Sequence, residues 1–423
     1  MNKTKTTLLA SVFTIGALFS AQALATQYAI VGAKVHTLSS QGTLDNASVL
    51  IKDGVIEAVV AGADVPSGYA RINAQGKVVT PGLIGAYTSL GLQEVSMSAG
   101  QIDSSADESD FTTVGAAFDV SFAVNPDSTL IAINRMEGIT AAATNIERSE
   151  YMFKGQGTIM QLADDDPVLA PRAFITLDMS GDAADDNGGS RAILWPKLLH
   201  VLAEAQNYDS EEYDGFASKA DMEALSLLFT EQKPLLIMAD RKADILQIIR
   251  LKNQYKGLNV VLVNGAEAWR VAEQLAQANI PVILNPEYNL PGNFERIGAT
   301  LANAGRLANA GVTIAIGMET HNIRLATQHA GNAVANGLAY ADGLAALTKN
   351  VAAIFGVDDQ IGQIAPGMRA DVVIWSGDPL EVTEAAEHVF IAGKPIAMRS
   401  RQTELRDRYL GLQDTKPMPH HRP

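Results

Sequence analysis

The chain has 423 residues, no cysteine, 47% hydrophobic side chains and a formal net charge of −15 at pH 7. A surface this acidic, with no basic cluster to interrupt it, argues against binding nucleic acid or anionic membranes. The lack of cysteine removes disulfides and thiol chemistry, and the length allows one large core or two.

Residues 1–25 read as a secretory signal peptide. Lys3 and Lys5 precede an apolar run from Leu8 to Phe19, which closes on Ala23-Leu24-Ala25, a small-x-small cleavage pattern. Ser11, Thr14 and Gly16 interrupt the run, and it is shorter than the roughly 20 residues of a spanning helix. The expected location is periplasmic or secreted, with no membrane attachment after cleavage.

Residues 26–80 are β-rich. Ala29-Ile30-Val31, Ser48-Val49-Leu50-Ile51 and the run Val55 to Val60 are short strands, and Asp53-Gly54 has the chemistry of a tight hairpin turn. Beyond Pro81 the pattern changes. Apolar runs starting at Leu235, Val260, Val282 and Val312 have the continuous character of strands buried on both faces. Helical patterns separate them, as where Ile245, Ile248 and Ile249 share a face ahead of Gly257. Earlier strands of the same series are expected at 82–87, 139–143 and 173–177. Repeated βα units give an α/β fold, and residues 81–361 are expected to form a (β/α)8 TIM barrel. An open doubly wound sheet is the competing arrangement, but no Gly-rich phosphate loop follows a strand. Residues 362–400 return to β character. With 26–80 they are expected to make a small β-sandwich domain from both chain ends. Residues 401–423, charged and then Pro-rich, read as a loose tail.

On these residues the chain resembles the amidohydrolase superfamily. Val79-Thr80-Pro81-Gly82-Leu83-Ile84 enters the barrel, and Ile364-Ala365-Pro366-Gly367-Met368-Arg369-Ala370-Asp371-Val372-Val373 leaves it. More narrowly it is similar to the imidazolonepropionase-like branch, which includes exported enzymes. Asn125-Pro126-Asp127, Gly138-Ile139-Thr140, Gly155-Gln156-Gly157 and Gly377-Asp378-Pro379-Leu380 support this. The resemblance implies hydrolysis of C–N bonds in amides, cyclic amides or dipeptides by water activated on one or two divalent metals. It also implies a His-x-His ending the first barrel strand, a His after the fifth and the sixth, and an Asp after the eighth. Here those positions fall on Tyr87-Thr88-Ser89, Met238, Asn264 and Glu319. A bridging Lys or Glu from a middle strand finds no place in the sequence.

Catalytic zinc takes imidazole, carboxylate or thiolate donors, whereas Tyr87, Ser89, Met238 and Asn264 offer a phenol, a hydroxyl, a thioether and a neutral amide. The leading expectation is therefore a pseudoenzyme with no cofactor. It would act as a non-catalytic binding or assembly partner of an active amidohydrolase paralogue, or by self-association, with a small amide or peptide as ligand. The alternative is an active hydrolase with an atypical site at Glu319, His321 and Asp240, holding zinc or another divalent metal. Ser89 shows no His partner in the sequence, which counts against a serine nucleophile. Gly155-Gln156-Gly157 shapes the pocket rim or marks a turn, and Trp195 and Trp269 read as core.

Overall fold

The computed structural model describes residues 27–95, 99–107, 109–163, 166–318 and 323–411. The signal-peptide reading of 1–25, the tail beyond 411, Glu319 and His321 lie outside the described residues. Among the described residues, no helix is long and apolar enough to cross a membrane.

One eight-stranded sheet forms the barrel wall. Its strands, each beside the one before, are Leu83–Thr88, Ile139–Thr144, Phe153–Gln161, Val168–Asp178, Pro234–Ala239, Asn259–Asn264, Val282–Ile283 and Ile314–Ala315. The N–H groups of Ala86 and Tyr87 donate to Gly317 O at 2.9 and 3.3 Å. These bonds tie the first strand to the end of the eighth and nearly close the sheet. Alternation along each strand sends Ile84, Phe174, Leu236 and Val261 inward, while Leu83, Ile175, Leu235 and Val260 meet the surrounding helices. Burial on both faces is the reason these strands read as unbroken apolar runs. The barrel floor is filled by Val351, Ile354 and Phe355, in and just after the helix Lys349–Ile354; the Phe355 ring lies 4.9 Å from that of Phe174.

The third strand, Phe153–Gln161, departs from the βα rhythm, because it runs antiparallel to both neighbours. Gly155-Gln156-Gly157 is thus neither rim nor turn but strand. A Cβ on Gly157 would lie 2.1 Å from the tip of the Phe174 ring, so the inner core requires glycine there. The reversal also places the start of this strand, at Lys154, at the same end of the barrel as the C-terminal ends of the other seven.

The second sheet draws on both ends of the chain. Tyr28–His36, Thr43–Lys52, Val55–Ala61, Ala70–Asn73 and Val78–Pro81 come from the start, and Val372–Trp375, Ala386–Ile391 and Lys394–Pro395 from the end. Antiparallel pairing of Val372–Trp375 with Val78–Pro81 joins the two groups. The expected sandwich is corrected to one continuous eight-stranded sheet. Register shifts in Tyr28–His36, at Ile30/Ala33 and Ala33/Val35, bend the long central strand. The bent sheet can then wrap its own core of Ile30, Val35, Ile51, Ile374 and Phe390. The Asp53-Gly54 hairpin has positive φ at both residues, 51° and 85°, as the tight turn requires.

The Arg369-Ala370-Asp371 segment acquires a structural reason. The Arg369 guanidinium forks onto the Asp371 carboxylate and donates to Gln161 Oε1 at 3.0 Å, while Asp371 O accepts from Gly82 N at 2.9 Å. Asp371 Oδ1 also accepts from Ala392 N at 2.8 Å. The pair therefore fastens the second sheet to the barrel. The loose-tail expectation is corrected for residues 401–411, which form the helix Arg401–Gly411. Ser400 and Thr403 cap its start reciprocally, and no residue of the helix is buried, so capping and local bonds hold it.

Candidate functional site

Among the described residues, the expected positions Tyr87, Ser89, Met238 and Asn264 lie at or just after the C-terminal ends of parallel strands, where TIM-barrel chemistry collects. Tyr87 ends the first strand and Met238 the fifth, and the Tyr87 hydroxyl donates to Met238 Sδ at 3.2 Å. Burial pushes the Tyr87 phenol up to about 12; Lys154 opposes the rise, Asp178 adds to it, and a bond from Asn145 opposes it. The phenol thus stays protonated across the physiological range. Ser89 is fully buried, accepting from Gln93 Nε2 at 3.1 Å and donating to Glu147 Oε2 at 3.4 Å. Its acceptor is a carboxylate at 3.4 Å rather than an imidazole, so the Ser-His pairing of a serine nucleophile is not what holds it. Asn264 closes the sixth strand at φ 76°, a left-handed conformation that asparagine tolerates.

A residue that the sequence reading missed lies among these. Lys154, at the start of the reversed third strand, is buried, and its Nζ is 3.0 Å from Asp178 Oδ2 at the end of the fourth. The same ammonium donates to Glu147 O at 3.0 Å, and Asp178 Oδ1 accepts from Ser180 N at 2.9 Å. Burial pulls the Lys154 pKa down, but its interactions with Tyr87 and with the Asp178 carboxylate outweigh it, and the amine sits above its ordinary value. Burial pushes Asp178 up, and Lys154 with the Ser180 bonds outweighs it, leaving the carboxyl below its ordinary value. Both groups are therefore charged. This middle-strand lysine is committed to an ion pair. The signal available was a lone lysine in the apolar stretch from Met152 to Met160. Without a strand assigned there, nothing aimed it at the mouth.

Asp240 follows the fifth strand and is buried, with both carboxylate oxygens in use. Oδ1 accepts from Ala266 N at 2.9 Å and Oδ2 from Arg296 Nε at 2.7 Å. Burial raises its pKa, with Arg296 the main opposing influence. Arg296 belongs to a strap, residues 293–298, drawn across the loops after the fourth, fifth and sixth strands. Glu295 pairs with Arg191 and accepts from Gly181 N at 3.2 Å, while Gly298 N donates to Glu267 Oε1 at 3.0 Å. Trp269 supports the strap through Nε1 to Gly298 O at 2.8 Å, with the Arg306 guanidinium over its ring at 4.3 Å. Asp240 thus belongs to a latch, apart from the Tyr87–Met238 pair. Among the described residues, no three His, Cys, Asp or Glu side chains gather where a metal ion could sit. A cleft of about 270 Å3 opens at the opposite end of the barrel, beside Asn259, Pro281 and Thr313 at the strand starts, away from the mouth.

Among the described residues, two polar atoms inside the barrel end have no partner. Asn145, just after the second strand, keeps Oδ1 buried and unbonded, as does Thr176 its Oγ1, which alternation turns inward on the fourth strand. Buried acceptors of this kind call for a donor from water or a ligand.

The model of the "Amidohydrolase family" matches residues 333–397. The chain is 38% identical over 115 residues to the amidohydrolase tasK of Hapsidospora irregularis, a match covering 25% of this chain and only 12% of that relative. An amidohydrolase from Thermotoga maritima superposes with a TM-score of 0.77 at 24% identity, covering 88% of this chain and all of that one. A molinate hydrolase superposes with a TM-score of 0.55 at 16% identity, over 94% of this chain and 99% of that one. The chain thus shares an amidohydrolase sequence pattern over residues 333–397, at the barrel exit, and the fold of solved amidohydrolases along nearly its whole length.

Proposed function

We propose that this protein is an exported amidohydrolase relative that has given up metal-dependent hydrolysis and works as a binding or assembly partner, by lineage of the imidazolonepropionase-like branch. One observation carries the reading. Among the described residues at the implied ligand positions, Tyr87 bonds to Met238 and Ser89 to Gln93 and Glu147, so three of these side chains are engaged with protein groups. A protonated phenol, a thioether and a neutral amide are a poor set for zinc, so no step through a metal is derived for these residues. The unpartnered Asn145 and Thr176 oxygens favour a small hydrogen-bonding ligand, an amide or peptide, received at the mouth without turnover. The partner in the assembly role would be an active amidohydrolase or a second copy of the chain.

The test is the metal content of protein purified without chelator and dialysed against zinc, alongside amide and dipeptide hydrolysis. The expected result is below about a tenth of an equivalent of zinc and no turnover. About one equivalent with hydrolysis that Glu319→Gln abolishes would establish the alternative site of Glu319, His321 and Asp240. A pull-down from the producing cell's periplasm should recover an amidohydrolase partner.

A further inference from the structure

We propose that Lys154 is a built-in cation of the barrel mouth, holding the charge balance there so that the mouth is complete without a metal ion. The inference rests on the non-catalytic reading above and deepens it by naming the group that replaces the metal's charge. The reversed third strand is what makes it geometrically possible, since it delivers a residue to the mouth from its own start. The ammonium sits between the Asp178 carboxylate, 3.0 Å away, and the backbone oxygen of Glu147, also 3.0 Å away. Tyr87 and the Glu147 carboxylate are the other titratable groups whose fields reach it.

The surroundings show what the charge does. Among the described residues, Asp178 and Glu147 bring two carboxylates to the mouth, and Lys154 is the cation set against them. Arg172, Arg191, Arg241 and Arg296 are committed to Asp119, Glu295 with Asp244, Asp244 and Asp240 respectively. Removing the ammonium would leave Asp178 buried with the Ser180 bonds alone. A divalent ion brought to the same place would face the buried ammonium, and the like charges repel at short range. Lys154 is a positioning residue on this view. It links the ends of the third and fourth strands through Asp178, and through Glu147 the loop whose carboxylate engages Ser89.

The experiment follows the thermal midpoint of the full chain and of Lys154→Ala, each with chelator, zinc chloride, butylammonium chloride, sodium chloride or butanol. The expected wild-type midpoint is unmoved by chelator or zinc. Lys154→Ala should melt several degrees lower, and butylammonium should recover a third or more of that loss. Sodium chloride at equal ionic strength and butanol should recover none, because the missing element is a positive charge and not volume. Recovery by butanol equal to that by butylammonium, or no loss on substitution, overturns the proposal. Should Lys154→Ala fail to fold, Lys154→Met keeps the stem and decides: an undiminished midpoint overturns the proposal, and a lowered midpoint that Asp178→Asn lowers no further supports it. Zinc binding by the wild type would sink the non-catalytic reading itself. Metal-free wild type with an indifferent Lys154 variant would sink only this inference.

Discussion

Asp221→Asn is the sharpest test of how the mouth is supported. Asp221 is fully buried near the start of the helix Lys219–Thr230, where it forms a capping pair with Ser218. Its oxygens gather the loop that follows the first barrel strand. Oδ1 accepts from Thr112 Oγ1 at 2.6 Å and from Ala116 N and Ala117 N at 2.9 and 3.0 Å. Oδ2 accepts from Thr113 N at 2.7 Å, Val114 N at 3.3 Å and Ser218 Oγ at 2.8 Å. Asparagine keeps one oxygen and turns an amide NH2 toward the Oδ2 donors. Thr113 N and Val114 N then lose their acceptor, at roughly 1–3 kcal/mol each when buried. Thr113 is exposed and can turn to water, so a net loss of about 2–4 kcal/mol is expected. For a cooperative unit of this length, unfolding entropy near 2.1 cal/mol/K per residue makes that a fall of about 2–5 °C in midpoint. Calorimetry reads the fall, and limited proteolysis should cut first within 109–118. An unchanged midpoint with an unchanged digest would refute the view that this carboxylate organises the loop.

Three further outcomes are expected. Arg296→Ala breaks the latch on Asp240; because the guanidinium is 29% exposed the loss is held to about 1–2 kcal/mol, and hydrogen exchange should quicken over 293–298 before elsewhere. Gly157→Ala forces a methyl against the Phe174 ring, and urea denaturation should show a loss of about 3 kcal/mol; a neutral result would mean that the inner core has room to give. The Lys154–Asp178 pair also predicts a pH profile. Asp178 lies below its ordinary 3.8, so its contribution is present above that value and lost as pH falls through the depressed one. Lys154 lies above its ordinary 10.5, so its contribution is whole below that value and lost as pH rises through the raised one. The midpoint gap between wild type and Lys154→Met should therefore be flat between the two and shrink in acid and alkali. A gap that does not shrink at either end would deny the pair its charge.

Much of the architecture was legible because strands buried on both faces leave a local mark. The runs at Leu235, Val260 and Val282 became wall strands at Pro234–Ala239, Asn259–Asn264 and Val282–Ile283, and Asp53-Gly54 became the tight turn its chemistry demands. The donor chemistry of the implied ligand positions is a matter of sequence alone. Tyr87, Ser89, Met238 and Asn264 are poor zinc donors wherever the chain puts them, since donor chemistry belongs to the side chain. What only the tertiary structure decided were matters of direction and pairing. The stretch from Phe153 to Gln161 carries too little side-chain patterning to announce a strand, and its antiparallel course follows from the neighbours it hydrogen-bonds. That course alone turns Lys154 toward Asp178, 24 residues further on, and a contact between strand ends leaves no trace in local periodicity. Asp240 likewise reads as a free carboxylate at a strand end, until Arg296, 56 residues away, occupies it.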